Sequence, residues 1–527
     1  MKITANYVDI LNRKIFPAEI GISEGVIKSI EPVQKAENYI LPGFIDAHIH
    51  VESSMLPPSS FGEIMLMHGH VASVSDPHEI ANVLGLEGVY WMIENAKKTP
   101  FKIYFGASPC VPATPFETSG ATLTPEDIET LLKRDDILYL SEVMNFPGVI
   151  NGDQDMLEKI AIAKKYNKHI DGHAPGLVGD DLTKYIQAGI ETDHEAFMYE
   201  EAEEKIKKGM KIIIREGSAA KNYEALHPLI AKYPDRLMFC SDDRHPDDLI
   251  KGDINLLVKR ALKDGYDLFD VLKIACINPV IHYGLDVGMG RINDKADFIL
   301  VDDLENFNIL ETYINGKKVY TKNNDFDFKK VTPVNNFNVS EIEDFSLPEC
   351  GEYKVIEVID GELVTNLKTY KGSVPNIKDD ILYIAVLNRY KNAPVSLGLV
   401  KGFGLKKGAV ASSVAHDSHN IIAVGTDKES LLKAINEIID LKGGICVVGD
   451  EVKSLKLDIA GLMSSENPFE VAEKYKNIQK LAKELGSNLN SVFMTLSFMA
   501  LLVIPELKIS DKGLFDVNRF EFTDICV

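Results

Sequence analysis

Residues 41–56 read LPGFIDAHIHVESSML, an apolar run that closes on two histidines, His48 and His50, one residue apart. Period-2 spacing puts both imidazoles on the same face of a strand. Two imidazoles alone cannot hold a catalytic metal. If this run is the first strand of a barrel, later strands must bring further ligands to the same rim.

The runs that follow keep a rhythm. HVASVSD (70–76), KIYFGAS (102–108), ILYLSEV (137–143), HIDGH (169–173), GIETDHE (189–195), KIIIREGS (211–218) and LMFCSDD (237–243) are short and apolar, and helical stretches separate them. One of those, TPEDIE (124–129), has a threonine N-cap and a proline in its first turn. Together with 39–50 they make eight strand–helix units in about 200 to 250 residues, the count and length of a (β/α)8 barrel. A doubly wound open sheet would carry a Gly-rich phosphate turn after its first strand, and none follows here.

Both flanks of the barrel read as short antiparallel strands. The fold expected is therefore α/β: residues 1–40 and 285–325 form a small β domain, 41–284 the metal-dependent (β/α)8 barrel, 326–350 a polar linker, and 351–527 an α+β domain. Within 41–284, the stretch EIANVLGLEGVYWMIENAKK is expected as a single helix.

Composition narrows the partners. The 527 residues are 45% hydrophobic and 26% charged, with a formal net charge of −22. That balance argues against a nucleic-acid backbone or an anionic membrane as partner. The six cysteines form no CxxC, which removes zinc ribbons and the H-x-E…P-C-x-x-C signature of nucleic-acid deaminases. Sparse cysteine fits a reducing cytoplasm. The start MKITANYVDILNRKIF has no continuous apolar core of a signal peptide, and no apolar run reaches the roughly 18 residues of a spanning helix.

The strand ends then supply the missing ligands. After His48 and His50 come Asp76, His78 and Glu79 on the second strand, Glu142 on the fourth, His173 on the fifth, His194 on the sixth, and Asp242 with Asp243 on the eighth. His48 and His50 would serve one ion, His173 and His194 a second, with Glu142 bridging and Asp242 both binding and accepting a proton. Four imidazoles and two carboxylates suit Zn, Fe or Mn better than Mg or Ca. A second His-x-His, His68-Gly69-His70, falls at the opposite end of its strand and is set aside.

This order on a flanked barrel resembles the amidohydrolase superfamily. Many members bridge their metals with a carboxylated lysine, whereas Glu142 within YLSEVMN points to a glutamate bridge. The motifs LPGFIDAHIHVESSML, VSDPHEIANV, LSEVMNFPGVI, DGHAPGL, ETDHE, REGSAAKN, SDDRHPDDL and GAVASSVAHDSHNIIAVG are similar to those of the bacterial and archaeal adenine deaminases, along nearly the whole chain.

The resemblance implies hydrolysis of adenine to hypoxanthine and ammonia, as in purine salvage, with two divalent ions, Mn or Fe before Zn, in a cytoplasmic homo-oligomer of two or more copies. Asp242 would take the proton of the attacking water and pass it to the leaving amine, while Glu79, with His78, would serve a ring nitrogen. Arg215, Glu216, Ser218 and Asp243, and the His416, Asp417 and His419 cluster of the third domain, are candidates to contact substrate. An amidohydrolase for a cyclic amide or for another purine or pterin would share the metal set. A non-catalytic assembly barrel would lack some of the ligands. Glu52 has no assigned role.

Overall fold

The computed structural model of the chain describes residues 1–218, 220–322, 326 and 328–527. Ala219 of the REGSAAKN motif, residues 323–325 of the expected small β domain and residue 327 of the expected linker lie outside the described residues.

Eight short strands form the centre: β1 (Phe44–Ile49), β2 (His70–Ser75), β3 (Lys102–Ala107), β4 (Ile137–Val143), β5 (His169–Gly172), β6 (Thr192–Asp193), β7 (Lys211–Arg215) and β8 (Leu237–Cys240). Strands β1 to β5 pair in order and parallel, as do β6 to β8. The Glu191 amide donates to Ile170 O at 2.9 Å across the β5–β6 seam. At the other seam the Asp242 amide donates to His48 O and the His50 amide to Asp242 O, each at 3.0 Å. The ladder thus closes and leaves no edge, which defines a (β/α)8 barrel.

The sequence pattern explains the packing. In β1, Ile45, Ala47 and Ile49 join the apolar core under the helices. Asp46 and His48 take the alternate register and face the interior, where the Asp46 carboxylate accepts from the Ser241 amide of the eighth strand's loop at 3.2 Å. Around the barrel, Thr124 caps the helix Pro125–Leu132 with a reciprocal bond to Asp127. The stretch expected as one helix from Glu79 onward is two, His78–Leu84 and Leu86–Ala96. Gly85 between them has φ 61° and ψ −143°, which only glycine adopts without strain.

Seven antiparallel and parallel strands from both flanks make a second sheet. Its strand Tyr39–Pro42 lies between Lys2–Asp9 and Phe298–Val301, so the chain entering β1 is itself part of this sheet. Between 326 and 350 the described residues form no helix or strand, yet they are pinned as a strap. The Asn336 side-chain amide donates to Val83 O at 3.0 Å, and the Asn338 backbone amide to Arg389 O at 2.7 Å.

The C-terminal part is an eight-stranded sheet running from Tyr353–Val358 to Val452–Lys456, with the helix Lys428–Leu441 packed on it and a three-stranded sheet at its end. Cys350 and Cys526 form a disulfide across it, and the other four cysteines are free and buried. The pair's separation of 176 residues hides it from any spacing argument. No described helix is long and apolar enough to cross a membrane.

Candidate metal centre and active site

The C-terminal ends of the strands converge on one buried cluster of imidazoles and carboxylates. Glu142, at the end of β4, divides its oxygens between two pairs. Its Oε1 lies 3.3 Å from His50 Nε2 and 4.0 Å from His48 Nε2. Its Oε2 lies 2.8 Å from His173 Nδ1 and 3.2 Å from His194 Nε2. Asp242 adds an oxygen 3.0 Å from His50 Nε2 and 3.8 Å from His48 Nε2. The His48 and His194 rings stack 4.0 Å apart.

This donor set fits divalent metal. All four ring nitrogens of His48 and His194 are buried without a hydrogen-bond partner among the described residues. A buried polar atom left so is costly, and a metal ion uses such a lone pair. Several groups of these residues, among them His48, His50 and Asp242, and His48, Glu142 and His194, bring ligand atoms within 4.8 Å of one another.

The electrostatics keep the acids ionised. Burial opposes the charge of Glu142, but the imidazoles of His173, His194 and His50 beside its oxygens hold it well below the usual carboxylate range. Burial likewise opposes Asp242, and the Arg215 guanidinium, which contacts it directly, draws it well below normal. Arg215 also pairs with Glu195, its Nη2 lying 3.0 Å from Oε2.

Two loops are fixed from behind. Lys205 is fully buried and donates to Ala174 O at 2.7 Å, Asp193 Oδ2 at 2.9 Å and Glu201 Oε1 at 2.6 Å. Asp193 in turn accepts the Ala174 and Ala196 amides, each at 2.9 Å, and Glu201 accepts the Gly176 amide at 2.8 Å. The loop after His173 and the loop after His194 are thereby tied to one buried cation.

The C-terminal sheet completes the wall. His416 Nδ1 lies 2.6 Å from Glu79 Oε1, and His419 Nε2 contacts the other Glu79 oxygen. His78 Nε2 lies 3.4 Å from Glu79 and 3.9 Å from Asp417. The Phe498 ring stacks on His416 at 4.6 Å. Burial opposes ionisation of Glu79, but the charges of His416 and His419 hold it well below its ordinary range.

Of the candidates read from sequence, His48, His50, His78, Glu79, Glu142, His173, His194, Arg215, Asp242, His416, Asp417 and His419 meet here. Asp243 lies at the rim, accepting the Ser53 hydroxyl at 2.6 Å. Glu216 and Ser218 do not join. Strand alternation turns Glu216 away from Arg215 toward Arg260, 3.2 Å distant, and the Ser218 hydroxyl is committed to Asp248 at 2.8 Å and to the His245 amide at 2.9 Å. Glu52 accepts the Ile80 amide at 3.1 Å and so holds the turn that carries His78 and Glu79; burial pushes its carboxyl up to about 7. Asp76 is read from sequence as a strand-end acid without a ligand role, Glu195 stands within the ETDHE motif, and Glu117 carries no signal in the sequence. His68 and His70 lie apart from the site, with His70 Nε2 accepting the Ile254 amide at 3.2 Å.

The amidohydrolase family matches residues 39–319, and the adenine deaminase C-terminal domain matches residues 357–521. Among curated relatives, the chain is 59% identical to a protein named adenine deaminase from Sulfurovum sp. (strain NBC37-1), over 100% of both chains. It is 52% identical to the adenine deaminase of Borreliella burgdorferi over 99% of each, and 50% identical to that of Methanosarcina barkeri over 98% of each.

Proposed function

Because the chain belongs to the adenine deaminases of the amidohydrolase family, we infer that the buried cluster is the centre at which adenine is hydrolysed to hypoxanthine and ammonia. The protein is a hydrolase. His48 and His50 would hold one divalent ion, His173 and His194 a second, with Glu142 between them and Asp242 beside the first. The observation that carries this reading is the division of Glu142 between the two histidine pairs, with its two oxygens at 3.3 Å and 2.8 Å from His50 and His173.

When bound, the ions supply the Lewis acidity that lets water act as a nucleophile near neutral pH. The side chains do the rest. Asp242, kept ionised by Arg215, takes a proton from the water that adds to C6 and delivers it to the departing nitrogen. Glu79 is held ionised by two imidazoles, so the proton for a ring nitrogen is carried by the Glu79–His416–His419 group as a unit, with His78 alongside. His173, with a quarter of its side chain exposed, is the ligand nearest solvent and marks the side from which substrate enters. Arg215 acts on Asp242 and Glu195 and is a positioning residue. Asp243, His416 and Asp417 are the remaining substrate-side candidates.

The family likeness also supports Mn or Fe before Zn as the metal, a homo-oligomer of two or more copies, a cytoplasmic place and a part in purine salvage. The test is ammonia release from adenine, adenosine, guanine, cytosine and hydantoins by protein supplied with Mn, alongside the Glu142→Gln and Asp242→Asn variants. Release from adenine is expected, with both variants reduced by roughly a hundredfold or more. Release from a cyclic amide but not adenine, or near-normal activity in both variants, would remove this reading.

A further inference from the structure

At the opposite mouth of the barrel, where the strands begin, a second cluster of imidazoles and carboxylates takes no part in the reaction above. His169 opens β5, Glu191 directly precedes β6, and His282 stands on the helix Asn278–Tyr283. His169 comes four residues before the ligand His173, roughly 13 Å along an extended chain. Glu191 Oε2 lies 2.8 Å from His169 Nδ1 and 4.0 Å from His282 Nδ1. Two ligands each about 2.1 Å from one ion stand at most about 4.2 Å apart, and both distances meet that limit. The three residues together offer ligand atoms that all lie within 4.8 Å of one another.

Two observations separate this cluster from a plain ion pair. His282 is 5% exposed and Asp171 0%, yet His282 Nε2 and Asp171 Oδ1 have no hydrogen-bond partner among the described residues. They face each other at 3.9 Å, while the other Asp171 oxygen accepts the Tyr283 hydroxyl at 2.6 Å. The second observation is Lys211, whose Nζ donates to His282 Nδ1 at 2.7 Å. The Nδ1 lone pair is thus turned to a cation, and the ring proton sits on Nε2, toward Asp171. A metal-bound histidine backed by a carboxylate uses that tautomer. Burial lowers the Lys211 pKa, so its ammonium gives up the place at less cost.

We propose that His169, Glu191 and His282 bind one zinc ion per chain, apart from the catalytic centre, with Asp171 orienting His282 from behind. Two imidazoles and one carboxylate suit zinc, and such a set holds it more tightly than Mn. The place gives the ion a task. Strands β5 and β6 belong to separate ladders, and the Glu191 amide to Ile170 O bond at 2.9 Å crosses the seam between them. An ion on these ligands joins the start of β5, the entry to β6 and the helix after β8 across that seam. The same two strands lead to His173 and His194, so a clamp at their base steadies both ligands at the other end.

The test titrates zinc into full-length protein already supplied with Mn, for wild type, His169→Ala and Lys211→Met, and reads zinc bound per chain and thermal melting. Wild type is expected to bind one zinc ion per chain more than His169→Ala, and to gain a few degrees in Tm that His169→Ala does not. Zinc that exchanges into the catalytic centre is common to both proteins and cancels in the difference. Lys211→Met removes the competing ammonium from His282 Nδ1, so it should bind the extra ion about tenfold more tightly than wild type. A merely structural ion-pair network would not gain affinity in that way. Equal zinc content and equal melting response in wild type and His169→Ala would overturn the proposal. Unchanged or weaker binding in folded Lys211→Met would overturn it too, even if His169→Ala fails to fold. Neither readout depends on ammonia release, so the outcome is separate from that of the adenine reading.

Discussion

His416 Nδ1 of the C-terminal sheet lies 2.6 Å from Oε1 of Glu79 at the mouth of the barrel. With His419 on the other oxygen and Phe498 stacked behind His416, the contact makes the C-terminal sheet part of the site. An acid buried among three imidazoles is a device for holding and moving protons, and taking out one imidazole should show it.

His416→Ala is expected to lower kcat/KM for adenine about a hundredfold, the scale of a lost proton-transfer group, while the metal content stays that of the wild type. Ammonia release and metal analysis on the same preparation check it. A parallel loss of metal would mean that His416 shapes the metal cluster and does not serve the proton.

Lys205 makes a different kind of claim. Its three bonds hold both loops that follow His173 and His194, from a place with no access to solvent. Lys205→Met leaves Asp193 and Glu201 buried without their cation, a loss of about 3–5 kcal/mol in stability. The loops should loosen with it. Metal bound per chain is expected to fall, and excess Mn should recover part of the activity, which calorimetry and metal titration can follow separately.

Much of this site was legible because a barrel turns sequence order into geometry. Strand ends point to one rim, so His48, His50, Glu142, His173, His194 and Asp242 could be gathered before any contact was known. The same period-2 rule, carried one residue past Arg215, separates it from Glu216, which faces Arg260. What was not legible depends on the approach of distant segments. Nothing local to HDSH tells which face meets Glu79, and nothing local to Glu117 tells that a second domain will bury it. Lys205 reads as one more cation on an amphipathic helix until the loops fold over it. The Cys350–Cys526 bond, 176 residues apart, belongs to the same class.

Arg215 offers a test through pH. Burial opposes the charge on Asp242, and the Arg215 guanidinium holds its pKa well below the ordinary value. Asp242 acts as a base in its ionised form, so activity is lost as pH falls through its pKa. Removing the guanidinium in Arg215→Met raises that pKa. The acid limb of the kcat/KM profile should therefore move to higher pH, with the alkaline limb unmoved. An acid limb in the wild-type position would mean that Arg215 serves only to fix Glu195 and the loop.

The last expectation concerns stability. Lys508 is fully buried in the C-terminal part, donating to Leu363 O at 2.8 Å and Phe498 O at 3.0 Å, with no carboxylate among those partners. Burial lowers its pKa to about 7, against 10.5 for the free side chain. Between those values the unfolded chain binds more protons than the folded one, so folding stability rises with pH across that window. Below about pH 7 both states are protonated and the penalty is constant. Wild type should therefore gain several kcal/mol relative to Lys508→Met as the pH is raised from 7 toward 10. Denaturant unfolding of both proteins at matched pH values measures it. Parallel curves for wild type and Lys508→Met would show that Lys508 stays charged, its two carbonyls being enough to hold the proton.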